Sequence, residues 1–198
     1  MEVGNGFFTR LSGALRPPAD RFPSPDGLRS AGVLVPLRAR GDGVTVVLAR
    51  RTEQVPHHKG QICFPGGSRD PGDAGLLDTA LREAEEELGI PRYDVEVLGT
   101  MEPVVTVTGF CIQPFVARIP SASGFRLDEF EVAEVFEVPL PVFGEMHRYR
   151  FAEYTVHGER KRVYFLDYGA HTIWGATATI LHRLAALAPA AATSRRLI

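Results

Sequence analysis

The sequence predicts an α/β sandwich with a mixed β-sheet. Short apolar or alternating segments of strand length recur along the chain, and two longer segments carry apolar residues at helical spacing. Strands combined with two substantial helices favour an arrangement in which helices pack against a sheet. The chain has 198 residues, of which 44% are hydrophobic and 23% are charged, so one domain can bury a sizeable core.

The two ends of the chain are predicted to differ from its middle. Residues 7–15 have the composition of a short helix, which Pro17-Pro18 would stop, and residues 16–27 contain four prolines, which indicates a linker. An Ala/Pro/Ser-rich tail follows the last predicted helix and is expected to fray. The predicted divisions are residues 1–30 for the N-terminal helix and Pro-rich linker, 31–188 for the main domain and 189–198 for the flexible tail.

The segments with strand character lie within the main domain. They are residues 31–37, 44–49, 61–64, 95–105, 110–119, 149–156 and 162–167. The last two are expected to form a hairpin turned by residues 157–159, whereas residues 132–140 fit no single assignment. Pro114 interrupts residues 110–119, and this predicts an edge strand or a bulge because proline cannot donate to a ladder.

Two helices are predicted in the main domain, and the first of them carries the acidic residues. Asp73 or Asp78 is expected to cap its start, and Gly89 with Pro91 is expected to stop it. The second is predicted over residues 172–187. The apolar residues that recur at helical spacing in the first are Leu77, Ala80, Leu81, Ala84 and Leu88.

Three glutamates share one face of the first helix. Glu83, Glu86 and Glu87 are spaced i, i+3 and i+4, so their like charges crowd together unless cations neutralise them. Carboxylate oxygens are hard ligands suited to Mg²⁺ or Mn²⁺. Arg82 precedes Glu86 by four positions and can pair with it, which would hold one carboxylate in place.

A plain charged surface helix is the alternative interpretation of these glutamates. The residues before the helix favour the functional interpretation. Gly66-Gly67 follows a short predicted strand and permits close approach of the backbone to a ligand. A glycine loop that leads into an acidic helix is a suitable platform for a metal-bound diphosphate.

The segment from residue 66 to residue 90 resembles the Nudix box, in which a glycine, a glutamate and an Arg-Glu-x-x-Glu-Glu core occur at fixed spacing. The first half departs from the pattern: the register places Ser68 and Ala74 at the glycine and the glutamate, and a one-residue shift offers Gly67 and Asp73 instead. The residues that match the second half are Arg82, Glu83, Ala84, Glu86, Glu87, Gly89 and Ile90.

The resemblance implies a Nudix-type α/β/α sandwich with a loop-helix-loop catalytic motif. It further implies hydrolysis of a diphosphate bond with Mg²⁺ or Mn²⁺ held by Glu83, Glu86 and Glu87. A glutamate from a later loop often joins the metal site in this fold, and Glu131 is the candidate here. The catalytic residues implied are Glu83, Arg82, Glu86 and Glu131, with Glu83 and Glu131 as alternatives for the carboxylate that takes the proton from water.

The region upstream resembles the signature of coenzyme A diphosphatases. Thr52 replaces the usual serine or alanine, and Pro56 replaces the second arginine. The matching residues are Leu48, Arg51, Gly60, Phe64, Pro65, Gly66 and Gly67. Weaker similarity continues downstream, so the resemblance covers about residues 30–185. The expected products are 3′,5′-ADP and 4′-phosphopantetheine.

The substrate-binding residues are expected in and around this signature. Arg50 and Arg51 alternate on a strand, so only one of them can face the site, and Arg51 holds the signature position. His57, His58 or Lys59 can supply the charge that Pro56 lacks. The expected substrate-binding residues are Arg51, His58, Lys59, Gly66 and Gly67.

Two other functions stay open. One is hydrolysis of another nucleotide derivative, such as ADP-ribose, a dinucleotide or a nucleoside triphosphate. The other is a non-catalytic Nudix module that binds a nucleotide, although such a module would be expected to lose metal ligands and this chain keeps all three box glutamates. RNA decapping fits poorly with the small size and the near-neutral charge.

The expected partner is a small-molecule nucleotide substrate. The net charge of −2 argues against nucleic-acid binding, which needs a strong basic field. The sequence shows neither an apolar span of membrane length nor a signal peptide, so no membrane partner is expected and the expected location is cytoplasmic. Cys63 and Cys111 are then expected to be reduced thiols. A homodimer is left open.

Overall fold

The computed structural model describes residues 2–18, 27–41, 43–122, 124–156 and 159–189. Within these ranges the helices are α1 (Glu2–Ala14), α2 (Leu76–Leu88) and α3 (Gly175–Leu187). The strands are β1 (Arg29–Arg40), β2 (Gly43–Arg51), β3 (Ile62–Cys63), β4 (Gly66–Ser68), β5 (Glu96–Thr100), β6 (Val104–Val105), β7 (Phe110–Ile119), β8 (Val132–Pro139), β9 (Tyr149–Val156), β10 (Glu159–Tyr168) and β11 (His171–Trp174). Short 3₁₀ turns occur at Arg92–Asp94, Leu140–Gly144 and Met146–Arg148.

The main sheet is mixed. Its central order is β3-β2-β1-β7-β5, with β8 paired to β2, β4 to β1 and β6 to β7. The β1–β7 pair is parallel, and the other pairs in this sheet are antiparallel. A smaller antiparallel sheet has the order β11-β10-β9. The predicted α/β class with a mixed sheet is confirmed.

Helices cover both faces of the main sheet. Leu34 on β1 points toward α2 and packs with Ala80 and Ala84 of that helix. The neighbouring Val35 packs on the other side, in a core shared with α1 and α3, as the alternation of side chains along a strand requires. The acidic helix therefore occupies one layer and the other two helices occupy the opposite layer.

The N-terminal helix belongs to the main core. Phe7, Phe8 and Leu11 of α1 are buried in the cluster that also contains α3, and Arg16 forms a β-bridge with Thr100 of β5. The central part of the predicted linker, residues 19–26, and the predicted tail from residue 190 onward lie outside the described residues. None of the described helices is long and apolar enough to cross a membrane.

The interpretation of Pro114 as an edge position was wrong. β7 lies between β1 and β5 in the interior of the sheet. The Pro114 carbonyl accepts hydrogen bonds from the Met101 N–H at 3.2 Å and from the Thr100 hydroxyl at 2.7 Å. The residue therefore takes part in hydrogen bonding within the sheet although it has no N–H. The predicted bulge is supported, because the register with β7 changes by one residue between the Thr100–Phe115 and Val104–Ile112 pairs, which flank Pro114; another shift lies between Val97 and Gly99 of β5. The predicted strand over residues 95–105 is broken into β5 and β6.

The predicted side-chain cap of α2 was also wrong. The N-cap residue is Gly75, and no side chain caps this end. Asp78 lies inside the first turn and accepts from the Ala74 N–H, while Asp73 bonds to the side chain of Arg82. The other end is as predicted, because Gly89 takes the left-handed conformation with φ of 66° that ends many helices.

Two further segments acquire a definite structure. Gly66-Gly67, predicted to follow a short strand, itself belongs to β4, which pairs with β1. Residues 132–140, ambiguous in sequence, contain β8, which pairs along β2. The predicted strand pairing of the hairpin is confirmed as the β9–β10 pair, and residues 157–158 of its predicted turn lie outside the described residues. β4 and β8 matter because each brings a loop to the acidic helix.

Candidate active site

The glycine loop lies directly against the acidic helix. β4 packs beside α2, and a Cβ atom placed on Gly67 would overlap Oε1 of Glu83. Glycine is therefore required at this position for the Glu83 carboxylate to lie where it does. The Gly66 N–H donates to Oε2 of Glu87 at 3.3 Å. The two glycines thus contact two of the three helix glutamates.

Arg82 is the hub of one half of the site. Its Nη1 donates to Oε1 of Glu83 and to Oε2 of Glu86, both at 2.9 Å. Its Nε and Nη2 donate to the two oxygens of Asp73 at 3.0 and 3.1 Å. A planar guanidinium with donors on several edges can hold three carboxylates in fixed directions, which a lysine could not do.

Asp73 anchors this arginine. It is buried, and it also accepts hydrogen bonds from the Asp70 N–H at 2.9 Å and the Thr79 hydroxyl at 2.8 Å. The hydrogen bonds from Arg82 hold the pKa of Asp73 well below its usual range. The sequence indicated Asp73 as a candidate helix cap and, through a one-residue shift of the motif, as a candidate for the first glutamate of the Nudix box. The structure places it where an anchor for Arg82 is needed.

Arg51 organises the other half of the site. At the end of β2, its Nη1 donates to Oε1 of Glu87 at 3.1 Å and its Nη2 donates to Oε2 of Glu131 at 2.9 Å. Arg50 contacts a different carboxylate, since its Nε donates to Oε2 of Glu134 at 3.1 Å. The register shift between Arg50 and Arg51 in the β2–β8 pair redirects the strand at this point.

Glu87 is the buried carboxylate of the cluster. Only 3% of the residue is exposed. Burial raises the pKa of Glu87 to about 8, against the lowering effect of Arg51, and the nearby carboxylates of Glu83 and Glu131 raise it further. Burial also raises the pKa of Glu83. These two carboxylates therefore lie where additional positive charge would stabilise their ionised forms.

The predicted metal ligands are divided between the two arginines. Arg82 holds Glu83 and Glu86, whereas Arg51 holds Glu87. Within the described ranges, no three His, Cys, Asp or Glu groups converge as a ready-made metal site. The donor chemistry nevertheless fits a divalent cation, because hard carboxylate oxygens lie close together here: burial raises the pKa values of Glu83 and Glu87 on α2, and the Glu131 carboxylate is near both. The residues that could hold it are Glu83, Glu86, Glu87 and Glu131.

The signature loop between β2 and β3 is tied to Glu131. The Thr52 N–H donates to the Glu131 carbonyl at 2.9 Å, and the Thr52 hydroxyl donates to the Phe130 carbonyl at 2.6 Å. His58 and Lys59 are exposed on this loop, and the His58 ring lies 2.9 Å from the side-chain oxygen of Gln61. The sequence placed Thr52 at a signature position, but it could not show the contacts of Thr52 with Phe130 and Glu131, which are distant along the chain.

The fold and the site together define an α/β domain in which a glycine loop lies against an acidic helix whose glutamates are held by two arginines. The NUDIX domain family model matches residues 28–157, which contain all of these groups. The chain therefore belongs to the Nudix family. It is a pyrophosphohydrolase of the Nudix type, an enzyme class that generally uses divalent metal ions.

Named relatives cover almost the whole chain. A Nudix hydrolase NudL of Photorhabdus laumondii is 40% identical over 179 residues, which span 90% of this chain and 94% of the relative. The NudL of Pectobacterium atrosepticum is 40% identical over 185 residues, spanning 91% and 92%. Among solved structures, the Nudix hydrolase RenU of M. smegmatis superposes with a TM-score of 0.50 at 22% identity over 58% of this chain and 73% of that one, a likeness of fold.

Proposed function

We propose that this enzyme uses Mg²⁺ or Mn²⁺ to hydrolyse the diphosphate bond of coenzyme A, and of its thioesters, to 3′,5′-ADP and 4′-phosphopantetheine. One observation carries the proposal. Arg51, from the segment that resembles the coenzyme A diphosphatase signature, contacts both Glu87 of the acidic helix and Glu131. The substrate signature and the carboxylate centre thus share one site.

The residues of the chain divide the chemistry between them. When bound, a divalent cation would offset the charge on the phosphate oxygens as water attacks in line. Arg82, anchored by Asp73, fixes the direction of the Glu83 carboxylate. Glu83 and Glu131 are the alternatives for taking the proton from the attacking water. Glu83 is held more firmly, whereas the Glu131 side chain is 38% exposed and freer to move.

Substrate recognition is assigned to Arg51, to the signature loop between β2 and β3, and to the glycines of β4. Arg51, His58 and Lys59 supply basic groups for the diphosphate or for the 3′-phosphate of coenzyme A. Gly66 and Gly67 form the floor beside the helix, with their backbone close to the carboxylates. The net charge of −2 means that recognition of an anionic substrate depends on such local groups.

A substrate panel tests the assignment. The values of kcat/KM for coenzyme A, 3′-dephospho-coenzyme A, ADP-ribose and a dinucleoside diphosphate would be measured with Mg²⁺ and with Mn²⁺. We expect coenzyme A to exceed its dephospho form by about tenfold or more, as for a lost charge-assisted contact. Faster turnover of ADP-ribose or the dinucleotide would support the alternative substrates. Nucleotide binding without turnover of any compound would support the non-catalytic module.

We further propose that the enzyme is cytoplasmic. Cys63 and Cys111 are free, and burial raises the pKa of the Cys63 thiol to about 12, which suits an unreactive thiol in the reducing cytoplasm. A small nucleotide is the proposed partner, rather than a nucleic acid or a membrane. A homodimer stays a prediction, and light scattering on the purified protein would decide it.

A further inference from the structure

The Arg51 guanidinium lies between two carboxylates that come from different elements. Glu87 belongs to α2, whereas Glu131 belongs to the segment before β8, and each accepts a hydrogen bond from a different Arg51 nitrogen. Both carboxylates are also ligands in the proposed cation site. One positive group of the protein thus already contacts oxygens that a divalent cation would use.

We propose that Arg51 and the divalent cation compete for Glu87 and Glu131, so that cation binding releases the Arg51 guanidinium to bind the substrate diphosphate. This inference rests on the proposed cation site. It makes Arg51 a counter-charge that stabilises the carboxylates before the cation arrives and a phosphate ligand afterwards. It also predicts an order of binding, with the cation before the substrate.

Electrostatic repulsion favours replacement of the Arg51 guanidinium by the cation over simultaneous binding of both to the same carboxylates. The Arg51 side chain is 19% exposed and that of Glu87 is 4% exposed, so their charges interact with little screening by water. A divalent cation on the same carboxylates would be a like charge within a few ångströms of the guanidinium, which is strongly unfavourable where water is scarce. The guanidinium is therefore expected to move away when the cation binds.

The local structure allows this movement without a change of fold. The Arg51 backbone is held, since its N–H donates to the Gln61 carbonyl at 3.0 Å. The long side chain stands at the irregular end of β2, next to the register shift. Rotation of the side chain alone can carry the guanidinium toward the signature loop. Glu131, which is more exposed than Glu87, can turn toward a cation.

Arg82 differs from Arg51 because one of its carboxylate partners lies outside the proposed cation site. It also contacts two proposed ligands, Glu83 and Glu86, but it has a third carboxylate partner in the buried Asp73. Asp73 is outside the proposed cation site, so Arg82 keeps an anchor when the cation binds. Both carboxylates that Arg51 contacts in the described structure belong to that site. The exchange is therefore assigned to Arg51 alone.

Direct cation binding tests the exchange. Mn²⁺ would be titrated into chelator-treated wild-type protein, Arg51→Met, Arg51→Lys and the control Arg50→Met, with free Mn²⁺ followed by electron paramagnetic resonance. Arg51→Met should bind Mn²⁺ about tenfold more tightly than wild type, because the competing charge is gone. Arg51→Lys, which keeps one charge but cannot bridge two carboxylates, should fall between them. Arg50→Met should match wild type, because Arg50 contacts Glu134 instead.

Thermal melting separates exchange from a purely structural role. In chelator, Arg51→Met should melt below wild type, and added Mn²⁺ should raise its melting temperature by more than it raises that of wild type. Mn²⁺ affinity equal to or weaker than wild type in Arg51→Met and Arg51→Lys would overturn the exchange while leaving the cation site in place. Failure of wild-type protein to bind Mn²⁺ would overturn both the cation site and the exchange. Normal exchange without cleavage of coenzyme A would overturn only the proposed substrate.

Discussion

Arg82 and Asp73 form a two-point ion pair that joins the acidic helix to the loop before it. Nε to Oδ1 measures 3.0 Å and Nη2 to Oδ2 measures 3.1 Å. This pair explains how the chain tolerates a motif whose first half is one residue out of register. A buried aspartate within reach of Arg82 supplies the carboxylate that the arginine needs, and Arg82 then orients Glu83.

The Asp73–Arg82 pair should be needed for both stability and turnover. Asp73→Asn removes the charge but keeps the shape, and it should lower the free energy of unfolding by about 2 kcal/mol, as for a hydrogen bond to a charged group. It should also lower kcat, because the direction of Glu83 is no longer fixed. Urea unfolding at pH 7 and steady-state kinetics measure the two effects.

Asp70→Asn is the matched control for this pair. Asp70 lies 3.6 Å from Arg82, and its side chain is 67% exposed, so its loss should change little. Equal effects of the two substitutions would show that Asp73 has no special anchoring role.

The buried charge of Glu87 should lower the stability of the fold, and its carboxylate should be necessary for the reaction. Glu87→Gln should slow turnover by about two orders of magnitude or more, as expected for loss of a cation ligand. In chelator above pH 8 it should raise the melting temperature, because a buried carboxylate is replaced by a neutral amide that can still accept from Arg51. Glu85→Gln, on a different side of the helix, should leave turnover unchanged. A lower melting temperature for Glu87→Gln would mean that the charge stabilises the fold.

Gly67 should matter for the position of Glu83 more than for folding. In Gly67→Ala the new methyl group would meet the end of the Glu83 side chain, which can swing aside at little cost in stability. The displaced carboxylate should nevertheless lower kcat by about tenfold or more, since a small misplacement in an active site is expensive. Gly72→Ala, where a Cβ meets nothing within 4 Å, is the control. Unchanged kcat in Gly67→Ala would separate Glu83 from catalysis.

Acid should weaken an ion-pair network remote from the acidic helix. The hydrogen bond from Arg40, helped by Thr45 and Arg38, lowers the pKa of Glu137 from an ordinary value of 4.5 to about 2. A carboxyl with a lower pKa in the folded state contributes stability that is present above pH 4.5 and is lost as the pH falls toward 2. Between about pH 5 and about pH 3, the free energy of unfolding should therefore fall less steeply in Glu137→Gln than in wild type.

At pH 7 the same substitution should itself be destabilising. Arg38 is buried and would lose the carboxylate that Nη1 contacts at 2.8 Å, at a cost of about 3 kcal/mol. Glu96→Gln, whose side chain is 61% exposed, should leave both the stability and its pH dependence near wild type. Parallel pH profiles for wild type and Glu137→Gln would rule out this contribution.

Local features of the sequence were enough to predict much of the fold. The apolar spacing of the acidic helix, its stop at Gly89 and the β9–β10 hairpin depend on neighbouring residues, and the structure confirms them. Pro114 was misjudged because its place in the sheet depends on which strands flank it. A proline is tolerated in the interior of this sheet, where its carbonyl rather than an N–H makes the contacts.

The site shows the same division between local and distant information. The spacing of Glu83, Glu86 and Glu87 predicted a shared helix face, yet the structure separates their carboxylates between Arg82 and Arg51. The joint contact of Arg51 with Glu87 and Glu131 depends on how β2, α2 and β8 pack. Residue spacing along the chain does not predict that packing.

The most direct test of diphosphate cleavage at this site is mass analysis of the products formed from coenzyme A. Wild-type protein and Glu87→Gln would be incubated with coenzyme A in Mg²⁺, in Mn²⁺ and in excess chelator. We predict 3′,5′-ADP and 4′-phosphopantetheine from wild type with either cation, and a loss of about a hundredfold or more in chelator or in Glu87→Gln. The same products formed at full rate in chelator, or by Glu87→Gln, would contradict hydrolysis by this carboxylate centre.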